Sequence, residues 1–262
     1  MEFKKVIGNR RSVRYYAPYR PVEREKIQTM LEAARLSSRA VNADWAKAIV
    51  VYRDEMSQED RDKLKTPTST AQLDLAPVYI FWYADTEAPR RSGTEAIKRL
   101  VDIGALNPSH GWSHAYVDNV VWPQVLSPVV SDPATVAVLA SVEAGLSICQ
   151  AMLAAVDQGL GTLLTAFNRD HAKEILGVPD HWIPLWVQMV GYSVESPEAG
   201  GQRPRTEPWE DLYFQGKYGR PFERDPEVVE KLKADGMIQA QAPLPWRKAE
   251  VRALSNMFGL PD

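Results

Sequence analysis

Between Asp132 and Gly159 the chain has almost no polar face, and this run constrains the fold more than any other. Asp132 is suited to cap a helix and Pro133 to open it, because a first turn does not need proline's missing N–H; Gly159 is suited to end it. Ala137, Leu139, Ala144, Leu146, Ile148, Met152, Leu153 and Val156 spread the apolar surface around the whole circumference. A helix apolar on all sides must be covered on all sides, so it belongs at the centre of a domain or in a contact between subunits. Glu143, Gln150 and Asp157 interrupt it, and its uncharged stretches stay below the ~18 apolar residues of a membrane span. Cys149 lies in the same run and reads as a small core residue. As the one cysteine it excludes an internal disulfide and a multi-cysteine metal site.

Strand patterns surround this run. Trp45 leads into Ile49-Val50-Val51, Pro77 opens Val78–Tyr83, and Thr162–Phe167 and Leu185–Gly191 supply two more β-favouring segments. Ile27, Met30, Leu31 and Ala34 repeat at helical spacing, and Ser57 with Asp60 resembles a capping box for a short charged helix. Asn107–Val130 reads as irregular. From Ser196 onward, Pro197, Gly200, Gly201, Pro204 and Pro208 break regular structure, until Asp225-Pro226 starts a helix that Gly236 stops. Residues 196–262 therefore read as an extended arm with terminal helices that needs a surface to lie on. With 45% hydrophobic residues, the 262-residue chain can form one large domain or two small ones. A net charge of −3 argues against a nucleic-acid surface. Met1–Arg14 has no apolar signal-peptide core, so the expectation is a cytoplasmic protein without a membrane partner.

Arg10-Arg11-Ser12-Val13-Arg14 is the densest chemical signal. Three guanidiniums and a hydroxyl within five positions repel one another unless an anion or solvent fills the space between them. A guanidinium's planar fork of donors matches a phosphate. Alone, the pentapeptide reads more readily as a solvated basic turn, and the rest of the chain reverses that preference. His110 and His114 stand four apart as zinc ligands on a helix can, but no Glu lies between them in the required place and Gly111 weakens the helix. They are not read as a metal site.

Five landmarks occur in a fixed order. They are Arg10–Arg14, Ala34–Trp45, Ala76-Pro77-Val78, Gln158-Gly159-Leu160-Gly161-Thr162, and Val190-Gly191-Tyr192 followed by Arg203-Pro204-Arg205. Together with the long apolar run, this pattern resembles the nitroreductase family of FMN-dependent oxidoreductases over roughly residues 1–205. The resemblance implies an α+β fold with a mostly antiparallel central sheet flanked by helices, and a homodimer with FMN at its interface. It implies that Arg10, Ser12, Arg203 and Arg205 hold the FMN phosphate with Arg11 nearby. Arg14 would face the flavin pyrimidine edge, where a cation favours the reduced ring. Backbone N–H groups at Leu164, Thr165 and Ala166 would reach the flavin. Ser38, Arg39 and Asn42 would reach the flavin of the opposite subunit. Trp112, Tyr116 and Trp122 would shape an aromatic substrate pocket. Four charge-assisted bonds at ~1.5–3 kcal/mol each, discounted for ordering, reach the ~8 kcal/mol of micromolar phosphate binding.

The implied activity is ping-pong hydride transfer from NADH or NADPH to FMN and on to a nitroaromatic, quinone or other conjugated acceptor. The cofactor carries that chemistry, so no catalytic triad is required. Two stretches depart from the family pattern. Ser37–Trp45 lacks a Gln-Pro pair, and Thr68–Gln72 offers hydroxyls and one amide where a lysine or amide often faces the ring. Reductive dehalogenation, flavin fragmentation and non-catalytic FMN storage remain open as alternatives on the same fold.

Overall fold

The structure, a computed structural model, describes residues 1–199, 205–240 and 244–260. Four strands, Ala46–Tyr52 (β1), Val78–Asp85 (β2), Gly161–Thr165 (β3) and Trp182–Gly191 (β4), form one sheet in the order β1-β2-β4-β3. All three ladders are antiparallel, as the α+β reading requires. The helices before and around the second strand are Phe3–Asn9 (α1), Arg24–Arg35 (α2), Gln58–Leu64 (α3), Thr70–Leu75 (α4), Ala88–Ser92 (α5) and Glu95–Asp102 (α6). His114–Tyr116 (α7), Ser127–Ser131 (α8), Pro133–Asp157 (α9) and Arg169–Leu176 (α10) follow, then Trp209–Leu212 (α11), Pro226–Ala234 (α12) and Arg247–Met257 (α13).

Every residue of β2 is buried. Its pleat sends Tyr79, Phe81 and Tyr83 to one face, among Leu64, Leu73, Phe167 and Met189. Val78, Ile80 and Trp82 point to the other, among Ile27 and Met30 of α2 and Ile148, Ala151 and Ala155 of α9. A strand this apolar on both faces needs a layer on each side, which the two helical groups provide. One polar chain crosses this interior. Trp82 Nε1 donates to Gln188 Oε1 at 2.9 Å, and Gln188 Nε2 donates to Thr162 Oγ1 at 2.9 Å. It is satisfied end to end, which is what a buried amide demands.

The helix ends follow their sequence signals. Asp132 accepts the N–H groups of Ala134 and Thr135 at the start of α9, and Ser57 accepts that of Asp60 at the start of α3. Two expectations need correction. Asn107–Val130 is largely helical, with wide π-helical turns over Val117–Leu126, around Pro123. Cys149 is exposed, because it lies on the outer face of α9 with Val138, Val142 and Leu146, which are 64%, 57% and 44% exposed. The helix is therefore covered on one side only within the chain. By length and mean hydropathy (25 residues, 1.7 over its most apolar window) α9 is also long and apolar enough to cross a membrane. It runs unbroken through Glu143, whose carboxylate accepts the Ala40 N–H at 2.9 Å.

The C-terminal arm is exposed from Arg205 through Glu227 except at Trp209 and Phe214, then returns to the body. Gly8 of α1 abuts the turn after α12 so closely that a Cβ there would stand 2.0 Å from the Gly236 carbonyl oxygen. Beyond it, Leu254 of α13 is buried, and Phe258 stacks on Tyr15 with ring centroids 6.4 Å apart.

Gly191, where β4 ends, is the tightest point of the sheet. A Cβ there would meet Pro77 Cδ at 2.5 Å and Tyr16 Cδ1 at 3.0 Å. Gly191→Ala is expected to destabilise the chain by about 1–3 kcal/mol through overpacking. Urea denaturation checks this, and an unchanged midpoint would refute the close approach.

Candidate functional site

The basic segment is not a free turn. It leaves α1 at Arg10, whose N–H donates to Val6 O at 3.1 Å, and runs along the outer edge of β3. Ser12 forms a parallel bridge with Thr162, and the Val13 N–H donates to the Thr162 carbonyl at 3.0 Å. Gly161 is required here, because a Cβ would stand 3.0 Å from both γ-methyls of Val13. Residues 15–17 then pair with the strand extension beyond β4. Val194 N–H donates to Tyr15 O, Ala17 N–H to Tyr192 O, and Tyr16 bridges Ser193. Tyr16 is fully buried, its hydroxyl donates to Val13 O at 2.9 Å, and burial pushes its phenol pKa well up. The backbone of residues 12–17 is thus held from both sides.

Its side chains divide. Arg11 turns inward: its guanidinium donates to the Ser196 carbonyl at 2.7 Å and the Pro197 carbonyl at 3.1 Å, and burial lowers its pKa against the opposing pull of Glu195. Arg10 and Arg14 are exposed. Arg14 Nη1 donates to the Ser12 carbonyl at 3.0 Å, while the Arg10 guanidinium has no hydrogen-bond or ion-pair partner among the described residues. Leu164, Thr165 and Ala166 lie two to four residues further along β3 on the same edge, about 7–13 Å from Thr162. Thr165 Oγ1 donates to the Thr68 carbonyl at 3.3 Å, which brings the hydroxyl-rich Thr68–Gln72 stretch to the same end of the strand. Arg205 is exposed and Arg203 lies outside the described residues.

The other expected contacts are elsewhere in the chain. Ser38, Arg39 and Asn42 precede β1, at the opposite edge of the sheet and near its opposite end. Counting strands and residues puts Ala46 on the order of 14 Å across and 20 Å along from Thr162. The Arg39 guanidinium is bonded to Asp44 and to the Arg35 carbonyl. Val41 and Asn42 both hold positive φ, 53° and 54°, and Asn42 Nδ2 donates to Ala96 O at 3.2 Å. A β-branched valine in that region is strained, and such strain is stored where function or packing insists on it. A cavity of about 310 Å³ opens beside this stretch, lined by Arg35, Arg39, Lys47, Trp45, Trp82 and Ser147 among others. Trp112 and Tyr116 make an edge-to-face pair at 5.5 Å, and Trp122 is half-buried in the π-helical turns. His114 Nε2 lies 2.7 Å from Asp102 Oδ1, and no three His, Cys, Asp or Glu side chains cluster for a metal among the described residues.

Sequence reasoning did not find Glu195. Its carboxylate is buried and accepts the N–H groups of Arg14 at 2.5 Å and Tyr15 at 3.0 Å. No spacing in Ser193-Val194-Glu195-Ser196 marks it, since its importance arises from what packs over it.

A four-stranded antiparallel sheet between a long apolar helix and smaller helices, with a basic N-terminal segment stapled to one edge, is the nitroreductase fold. The Nitroreductase family model matches residues 7–103. A candidate nitroreductase from Exiguobacterium sibiricum 255-15, solved in complex with FMN, has a TM-score of 0.64 at 20% identity, covering 82% of this chain and 97% of that one. The Nitroreductase Family Protein from Streptococcus pneumoniae TIGR4 has a TM-score of 0.59 at 20% identity over 82% and 100%. The gut-bacterial enone reductase CLA-ER has a TM-score of 0.60 at 18% identity over 79% and 94%. No curated protein matches the sequence.

The positive φ at residue 42 sets a test of the local geometry. Asn42→Gly should leave stability within about 0.5 kcal/mol, whereas Asn42→Ala should cost about 1 kcal/mol or more, since alanine has neither glycine's freedom nor the amide bond to Ala96. Equal thermal midpoints for the two variants would contradict the conformation.

Proposed function

We propose that this chain is an FMN-dependent oxidoreductase of the nitroreductase family, one FMN-binding domain per chain, working as a homodimer in the cytoplasm. The observation that carries the reading is the held backbone of residues 12–17, which fixes Ser12 beside Thr162 at the start of β3, with Arg10 and Arg14 exposed on either side of it and Leu164–Ala166 further along the same strand. Unpartnered guanidinium and hydroxyl donors at one end of a strand, with backbone N–H groups further along, suit a ligand with a phosphate at one end and a polar ring at the other. The match to the FMN-bound fold of similar shape supports the same reading.

FMN, when bound, supplies the hydride exchange between a nicotinamide donor and an acceptor. The chain's residues bind and tune. Arg10, Ser12, Arg205 and Arg203 hold the phosphate. Arg14 lies toward the pyrimidine edge, and the Leu164–Ala166 backbone aligns the ring. Arg11 supports the site from within, since its donors are taken by Ser196 and Pro197. The acceptor would be a conjugated, electron-poor molecule such as a nitroaromatic, quinone or enone, with Trp112, Tyr116 and Trp122 shaping its pocket.

The separation of Ser38, Arg39 and Asn42 from the basic segment favours a dimer. Within one chain the two groups stand at opposite edges of the sheet, and a second copy that covers the outer face of α9 would bring its own Ser38–Asn42 stretch to the first copy's flavin. The stripe Val138, Val142, Leu146 and Cys149 is the apolar surface such a contact would bury. The exposed arm from Arg205 to Glu227 would then have a neighbour to lie on.

Arg10→Ala and Arg205→Ala should each weaken FMN binding by about tenfold or more, about 1.4 kcal/mol, and leave riboflavin affinity nearly unchanged because riboflavin has no phosphate. Equal losses for both ligands would remove the phosphate assignment. Anaerobic NADH or NADPH should bleach the flavin of the holoprotein within seconds; a flavin that stays yellow would leave a storage protein instead. Val142→Glu should convert a dimer of the 29.4 kDa chain to a monomer by light scattering. A dimer that persists with a charge there would displace α9 from the interface.

A further inference from the structure

Outside the groups expected to touch FMN, two carboxylates are buried among the described residues, Asp85 and Glu195, and the Glu195 side chain is 1% exposed. One carboxylate oxygen accepts the Arg14 and Tyr15 N–H groups. The other accepts Arg247 Nη2 at 2.7 Å and lies 4.0 Å from Arg11 Nε, a buried donor with no hydrogen-bond partner. Arg247 belongs to α13, fifty-two residues away in sequence. Its other terminal nitrogen donates to Glu250 at 2.5 Å, and Glu250 accepts the Ser196 N–H at 2.6 Å. Arg11 closes the ring on the Ser196 and Pro197 carbonyls. Burial works against the Arg247 cation, but its bond to Glu250 and the charge of Glu195 raise its pKa.

Glu195, Glu250, Arg11 and Arg247 form a neutral quartet. A buried ion network adds little net stability, because desolvation offsets most of the attraction. What it does well is fix geometry. Two backbone N–H groups on one buried carboxylate oxygen orient the peptides on either side of Arg14, and so aim Ser12 and Arg14.

We propose that Glu195, held by Arg247 of the C-terminal helix, is a positioning residue for the FMN site: it sets the Ser12–Tyr15 backbone, and α13 thereby governs how firmly the chain grips a flavin it does not itself touch. The proposal rests on the FMN reading above. It also gives the last helix a role that lies beyond residues 7–103, where the family model matches.

The test uses the full-length chain and measures FMN and riboflavin affinities by flavin fluorescence quenching, with the melting temperature of the apoprotein recorded alongside. Arg247→Ala leaves Glu195 short of a cation and should weaken FMN by about fivefold or more, and riboflavin by less, because Ser12 belongs to the phosphate end. The double variant Glu195→Gln with Arg247→Ala removes one charge of each sign and keeps an amide oxygen to accept the Arg14 and Tyr15 N–H groups. It should return FMN affinity to within about twofold of the unaltered protein. A purely structural helix would lower the apoprotein melting temperature and leave the FMN-to-riboflavin affinity ratio where it was. That result overturns the proposal, as does a double variant no better than the single one. If neither variant folds, the quartet is a folding determinant and the positioning role is wrong. Failure of the unaltered protein to bind FMN would remove the cofactor reading itself. FMN binding that is insensitive to Arg247→Ala removes only the positioning role.

Discussion

Burial of β2 on both faces is the constraint from which the rest of the structure follows. Tyr79, Phe81 and Tyr83 alternate with Val78, Ile80 and Trp82, and none of them reaches solvent to any extent. Two layers must therefore cover the sheet. α9 and α2 supply one, and α3, α4 and α10 with the Phe167 turn supply the other. The strand order then leaves β1 and β3 as edges. An exposed edge invites pairing, and here the N-terminal segment takes the β3 edge through Ser12 and Val13. The candidate site is thus a consequence of how the sheet is closed off on one side.

Charge is partitioned by the same closure. Three arginines within five positions would repel if they shared a surface, but the strand-like path of residues 10–14 sends Arg11 inward and leaves Arg10 and Arg14 outside. Inside, Arg11 meets carbonyls and the Glu195–Arg247–Glu250 network; outside, the remaining donors face solvent with only the Ser12 carbonyl engaged. A buried guanidinium needs such partners, and the C-terminal helix brings one of them. This links the two ends of the chain beneath residues 10–14.

Much of the fold was legible in the sequence because its signals are local. β-branched and aromatic runs marked the strands, and Asp132-Pro133 marked the start of α9. Asn107–Val130 was misread because Pro108, Gly111 and Pro123 look like breakers, while the wide turns around Pro123 accommodate it within a helical path. Cys149 was misread because an apolar helix gives no internal sign of which face the rest of the chain covers.

The sequence by itself determined that four strands and a long apolar helix would form, where that helix starts, and that three guanidiniums and a hydroxyl stand together at residues 10–14. Both depend on covalent neighbours and short-range sterics. Only the tertiary structure decided which arginine turns inward, that Glu195 and Arg247 meet beneath that cluster, and that Ser38–Asn42 lies at the far edge of the sheet. These are contacts between residues tens to hundreds of positions apart. Their energies exist only after the sheet has closed and excluded water, so no local pattern carries them.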